Sequence, residues 1–272
     1  MYKAILISLL LAFSSCKTIK SSIDKDTKIP FGQKLINSED SLPDSYDFRV
    51  EYPDCIPETI KKQDLCNSAT AFSGVNALAL RFCKATGKYV ELSPQDQVSC
   101  KDNKCKLGDL VSSWKYYETE GVVSEKCFPF VSGDLSEFPE CPNEVKQCSD
   151  ESEKFIKYKA IADSSEALET ADVIKKEIMK NGPVQAGMML FESFKYYESG
   201  IYQAQSGKML GWHALTLVGW GVEDGVQYFI GLNSWGKDWG ENGYIKIEVS
   251  TAGISQYGYA GLPDVDALRY PF

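Results

Sequence analysis

The groups in this 272-residue chain that could do covalent chemistry are nine cysteines, a single histidine (His213) and a few well-placed side-chain amides. They gather in three separated segments. The first is Gln63-Asp64-Leu65-Cys66-Asn67-Ser68-Ala69-Thr70-Ala71-Phe72. The second is Gly211-Trp212-His213-Ala214-Leu215. The third is Asn233-Ser234-Trp235-Gly236, running on to Asp238-Trp239-Gly240-Glu241-Asn242-Gly243-Tyr244. A thiol is a useful nucleophile only as thiolate, and an adjacent imidazole is a base that can take its proton. Cys16 lies at the end of an apolar N-terminal stretch. The other eight cysteines are even in number and all precede residue 149, which fits pairing in an oxidising compartment. A zinc site is a poorer reading. Cys100-x4-Cys105 is half of a ligand pattern, and His213 has no second histidine beside it. No metal and no cofactor is expected.

Together and in this order, the three segments resemble the Gln, Cys, His and Asn boxes of papain-family cysteine proteases. Leu42-Pro43-Asp44-Ser45-Tyr46-Asp47-Phe48-Arg49 resembles the mature start of these enzymes. Asn181-Gly182-Pro183-Val184 and Tyr197-Glu198-Ser199-Gly200-Ile201-Tyr202 resemble the cathepsin B-like branch. The similarity covers about residues 42–263. It implies an α+β, papain-like two-lobe fold, with a helical left lobe, a β-barrel right lobe and the cleft between them. By position it makes Gln63 the oxyanion donor, His213 the base, Asn233 its orienter and Trp235 the shield over the His–Asn contact.

The nucleophile belongs six residues after the glutamine, at the start of a helix whose positive N-terminal end would favour a thiolate. Ala69 stands there. A methyl group cannot ionise, attack or leave, and loss of the nucleophile in another hydrolase costs on the order of 10⁶ in turnover. The resemblance therefore points to a catalytically inactive homologue. Its expected partner is a peptide or protein ligand in the old cleft, such as a protease inhibitor. The alternatives are an active cysteine endopeptidase, if Ala69 is a laboratory substitution or Cys66 acts, and a structural or matrix protein. The neighbours weigh against a single engineered change, because the family has Gly where Asn67 sits and Trp where Thr70 sits. Using Cys66 would leave seven cysteines to pair. Ser68 or Thr70 would need His213 within hydrogen-bond reach, and one helical residue turns a side chain by about 100°.

The substrate side departs from the family as well. Its Gly-Gly pair, which hydrogen-bonds substrate backbone, aligns with Leu107-Gly108, and Tyr257 aligns with the base of the pocket for the substrate's second side chain. Trp212 precedes the base. Only residues 131–140 occupy the region of the His-containing occluding loop. The resemblance also implies the pairs Cys55–Cys83, Cys66–Cys105, Cys100–Cys141 and Cys127–Cys148.

These groups need elements to hold them. Phe72, Val75, Leu78, Ala79 and Phe82 recur at helical spacing, which predicts a helix over 69–86 that buries one face, capped by Asn67-Ser68 and stopped by Gly87. A second helix is expected over 108–120 and a short one over 171–180, with 130–148 as loop. Strands are expected at 157–161, 184–190, 214–220, 227–232 and 244–249. A helical half followed by a stranded half is an α+β pattern.

Residues 1–16, with a basic start and an apolar run, read as a secretory signal peptide. Residues 17–41 read as a short polar pro-segment or linker, and 42–272 as the peptidase domain. The apolar run is too short to span a bilayer, and no other stretch is long enough. The expected setting is the secretory pathway, extracellular or in a lysosome- or vacuole-like vesicle. Net charge is −9 with no basic run, which excludes nucleic acid as a partner.

Overall fold

The sequence places its helix formers first and its β-branched and aromatic runs second, and the chain folds in that order. The computed structural model describes residues 41–102, 104–204 and 207–268, all within one compact unit. The expected signal peptide and nearly all of the expected pro-segment lie outside the described residues. The helices are α1 (Phe48–Glu51), α2 (Ala69–Thr86), α3 (Pro94–Cys100), α4 (Leu110–Thr119) and α5 (Ala171–Asn181). The strands are β1 (Tyr46–Asp47), β2 (Glu166–Leu168), β3 (Val184–Phe191), β4 (Ile201–Tyr202), β5 (Met209–Glu223), β6 (Val226–Leu232), β7 (Tyr244–Glu248) and β8 (Gly258–Ala260).

Helix α2 runs over the expected residues and ends at Gly87, whose φ of 72° suits a residue without Cβ. Two expectations about it fail. Ser68 is the N-cap residue, but its hydroxyl donates to the Cys66 carbonyl instead of accepting from the helix. The helix also buries nearly its whole surface, not one face: from Ala69 to Cys83 only Asn76 is not fully buried. The reason is position, since α2 packs against α3 and α4 as well as β3 and β5. Even Arg81 is enclosed. Its guanidinium donates to the carbonyls of Pro183, Gly261 and Gly182 and pairs with Glu177 at 2.9 Å, so the buried charge keeps its partners.

Helix α4 starts later than expected, because Asp109 caps it by accepting from Ser112 N–H at 2.8 Å, and it ends one residue early, with Glu120 as its C-cap. Helix α3 was not expected from the pattern. Ser93 caps it and Pro94 sits in its first turn, a start signal on a segment too short to show periodicity. The expected strand at 157–161 is not one. Tyr158 and Ala160 make only isolated bridges, to Val122 and Pro263.

The strands form one sheet in the order β2-β8-β3-β5-β6-β7-β4, with β1 added to β5. This corrects the expected β-barrel. The outer strands β2 and β4, three and two residues long, lie at the two ends of this order and do not pair with each other, so the sheet stays open. Helices and sheet share one core: Val75, Leu78 and Phe82 of α2 and Trp114 of α4 meet Leu215, Leu217 and Phe229 of the sheet. Four disulfides, Cys55–Cys83, Cys66–Cys105, Cys100–Cys141 and Cys127–Cys148, staple the helical part, pair for pair as the resemblance implied. No helix among the described residues is long and apolar enough to cross a membrane.

Candidate active site

β5 is the longest strand, and it carries the histidine. His213 lies opposite Met188 of β3, 5 % exposed. One imidazole nitrogen, Nε2, is 2.8 Å from Asn233 Oδ1, and Asn233 follows directly on β6. The Ser234 N–H donates to the same Oδ1 at 2.9 Å. That oxygen is therefore the acceptor, and Nε2 must carry the proton it receives. Aromatic rings close over the pair. Trp235 stands 5.1 Å from the imidazole, centre to centre, and Phe194 stands 5.6 Å away, edge to face. In this dry setting burial pushes the imidazole pKa down to about 4, against a smaller upward pull from Asn233.

Gln63 joins the group through Ser234. Its N–H donates to Ser234 O at 2.8 Å, its Oε1 accepts from Ser234 Oγ at 2.7 Å, and its Nε2 donates to Cys66 O at 2.8 Å. Gln63, His213, Asn233 and Trp235 are thus brought together from three distant segments.

Ala69 is the first residue of α2 and fully buried. The first turn of that helix is clamped to the sheet by a cross-strand pair. Gln185 Nε2 donates to Thr70 O at 2.8 Å and to Ser73 Oγ at 3.0 Å, and Thr216 Oγ1 donates to Ser73 O at 2.9 Å. Gln185 and Thr216 face each other across β3 and β5. Thr216 is three residues past His213, roughly 10 Å along the strand.

Thr70 also reaches the opposite wall, where its Oγ1 accepts from Gly108 N–H at 3.1 Å. Gly108 has no room for a side chain, because a Cβ there would meet Asp102 Oδ1 at 2.7 Å. Leu107 beside it is half-buried. On the other side Trp212 and Tyr257 meet edge to face at 5.3 Å and remain 47 % and 46 % exposed.

All eight cysteines of the described residues are disulfide-bonded, Cys66 among them. No cluster of three or more His, Cys, Asp or Glu that could hold a metal occurs among the described residues. Sequence reasoning missed Phe194, Gln185 and the bridging role of Ser234. Ser234 could have been noticed beside Asn233. Phe194 and Gln185 lie in segments that carry no chemical pattern of their own.

A model of the papain family of cysteine proteases matches residues 42–262. The chain belongs to that family. It is 37 % identical to "Cathepsin B-like CP2" of Giardia intestinalis over 94 % of this chain and 84 % of the relative. It is 39 % identical to "Cathepsin B-like CP3" of the same organism, over 88 % of this chain and 77 % of the relative. Among solved structures, the procathepsin B of Trypanosoma congolense superposes with a TM-score of 0.75 at 30 % identity, covering 83 % of this chain and 79 % of that one.

Proposed function

We propose that this papain-family chain no longer hydrolyses peptides and serves as a binding protein for a peptide or protein ligand, held in the cleft beside His213. The observation that carries this reading is the lack of a nucleophile. Ala69 holds the position that the resemblance assigns to the catalytic cysteine, and among the described residues every thiol is locked in a disulfide. The Cys66 alternative is disfavoured for the same reason. The serine-type alternative fares no better. Ser68 Oγ donates to Cys66 O, Thr70 Oγ1 receives the Gly108 N–H, and the His213 Nε2 hydrogen bond goes to Asn233 and to neither hydroxyl.

The surroundings of the site support the same conclusion. A neutral imidazole with a pKa near 4 lacks the anion that would hold it protonated. The resemblance makes the Gly108 N–H a donor to substrate backbone, and here Thr70 already takes it. An incoming peptide would have to displace that bond. The exposed rings of Trp212 and Tyr257 offer apolar contact instead. The roles of Gln63, Asn233 and Trp235 then become structural: they keep the inherited cleft in shape. Four disulfides fit folding in the secretory pathway, and a leader in residues 1–16 would direct the chain there.

The deciding experiment compares turnover of generic peptide substrates by the wild-type protein and an Ala69→Cys variant, with a thiol-reactive activity probe alongside. Wild-type turnover sensitive to the probe would establish the active-protease reading. With turnover absent, affinity capture using the wild-type protein separates a binding protein from a purely structural one.

A further inference from the structure

The Asn233 side chain has one end fully used and the other unused. Oδ1 accepts from His213 and from the Ser234 N–H. Nδ2 has two hydrogens and no partner, although the residue is only 2 % exposed. An unsatisfied buried amide costs about 1–3 kcal/mol, and native proteins seldom leave one so. Beside Asn233 lies a cavity of about 10 Å³, walled on its apolar side by Phe72 and Leu232 and on its polar side by Asn76, Asn233, Ser234 and the Lys61–Glu91 pair, whose charges stand 3.9 Å apart. That is room for about one water, and a buried water needs two to four polar partners. Asn76 supplies a second amide to this cavity. It is the one residue of α2 between Ala69 and Cys83 that is not fully buried, and it sits seven residues past Ala69, two turns along the same helical face.

We propose that this cavity is a binding site for a single buried water molecule, which bridges Asn233 Nδ2 to Asn76 and so fixes the Asn233 amide and, through it, the Nε2–H tautomer of His213. The water accepts from Nδ2 and donates to Asn76 Oδ1. Turning the Asn233 amide over would then cost three contacts at once: the water, the Ser234 N–H and the imidazole. Asn76 is thus a positioning residue for His213, although it does not touch it. This inference holds whether or not the chain cleaves peptides.

His213 is the only histidine, so its ring nitrogens can be followed by NMR without ambiguity. In the uniformly ¹⁵N-labelled wild-type protein, the Asn233 side-chain amide is expected to show a cross-peak to a long-lived water, with His213 as the Nε2–H tautomer. In Asn76→Leu the cross-peak should vanish, and exchange of the His213 Nε2–H with solvent should quicken about tenfold. Asn76→Ser, which keeps a polar partner, should stay within about twofold of wild type in exchange rate. Absence of the cross-peak in the wild-type protein overturns the site, even if a variant fails to fold. A folded Asn76→Leu variant with unchanged His213 exchange overturns the positioning role.

Discussion

At the residue scale, the decisive feature is an imidazole that is buried and has no ionic partner. In an active thiolate–imidazolium pair the anion would hold the proton on the ring. Here only an amide faces Nε2, and desolvation wins. A folded pKa of about 4, against the ordinary 6.5 of an imidazole, means that the folded state binds fewer protons than the unfolded state between those values. The stabilising contribution is therefore complete above about pH 6.5 and is lost as pH falls through about 4. It amounts to on the order of 3 kcal/mol at 1.36 kcal/mol per pKa unit. Urea titrations at pH 7 and pH 4.5 should show wild type losing more stability than His213→Leu, in which this part of the slope is absent. A slope unchanged in the variant would mean that the imidazole is not held neutral. Ala69→Cys is expected to raise the His213 pKa, because a thiolate beside the ring favours its protonated form. An unmoved His213 resonance would remove Ala69 from the nucleophile position. The same variant should alkylate with small reagents far faster than it cleaves peptides. A misplacement of about 1 Å costs about 10²-fold in turnover, and on the proposed alignment a peptide backbone would have to pass Leu107 and displace the Thr70–Gly108 bond.

At the scale of elements, the start of α2 and the loop at Gly108 are tied by the Thr70 hydroxyl. Thr70→Val keeps the shape and removes the acceptor. It should cost about 1 kcal/mol in urea denaturation and speed amide exchange at Gly108, and unaltered exchange there would show that the bond is not maintained in solution. The long, strongly patterned elements were legible in the sequence: α2 to the residue, α5, and the cores of β3, β5, β6 and β7. Short elements were not. Helix α3 has seven residues, fewer than two full periods of its pattern. The segment at 157–161 alternates like a strand, but its neighbours offer only single bridges. The one-face expectation for α2 failed because its small residues, Ala71, Ala77 and Ala79, read as neutral in a pattern but pack as core. For the site, Gln63, His213 and Asn233 were legible through the resemblance. The clamps from Gln185 and Thr216 were not, since they depend on strand register, which only tertiary packing fixes.

At the scale of the whole molecule, every staple lies between Cys55 and Cys148, and the sheet beyond has none. Replacing both Cys66 and Cys105 by serine should cost about 2–5 kcal/mol and lower the melting temperature. Finding Cys66 as a free thiol by non-reducing peptide mapping of wild type would contradict the pairing and reopen its use as a nucleophile. One-sided stapling also shapes the state the protein unfolds to. The oxidised denatured chain keeps its first half looped and compact while the second half swells freely, so unfolding exposes less surface than a linear chain of equal length would. The denaturant m-value, which follows that newly exposed surface, should be small for the oxidised protein and rise once the disulfides are reduced.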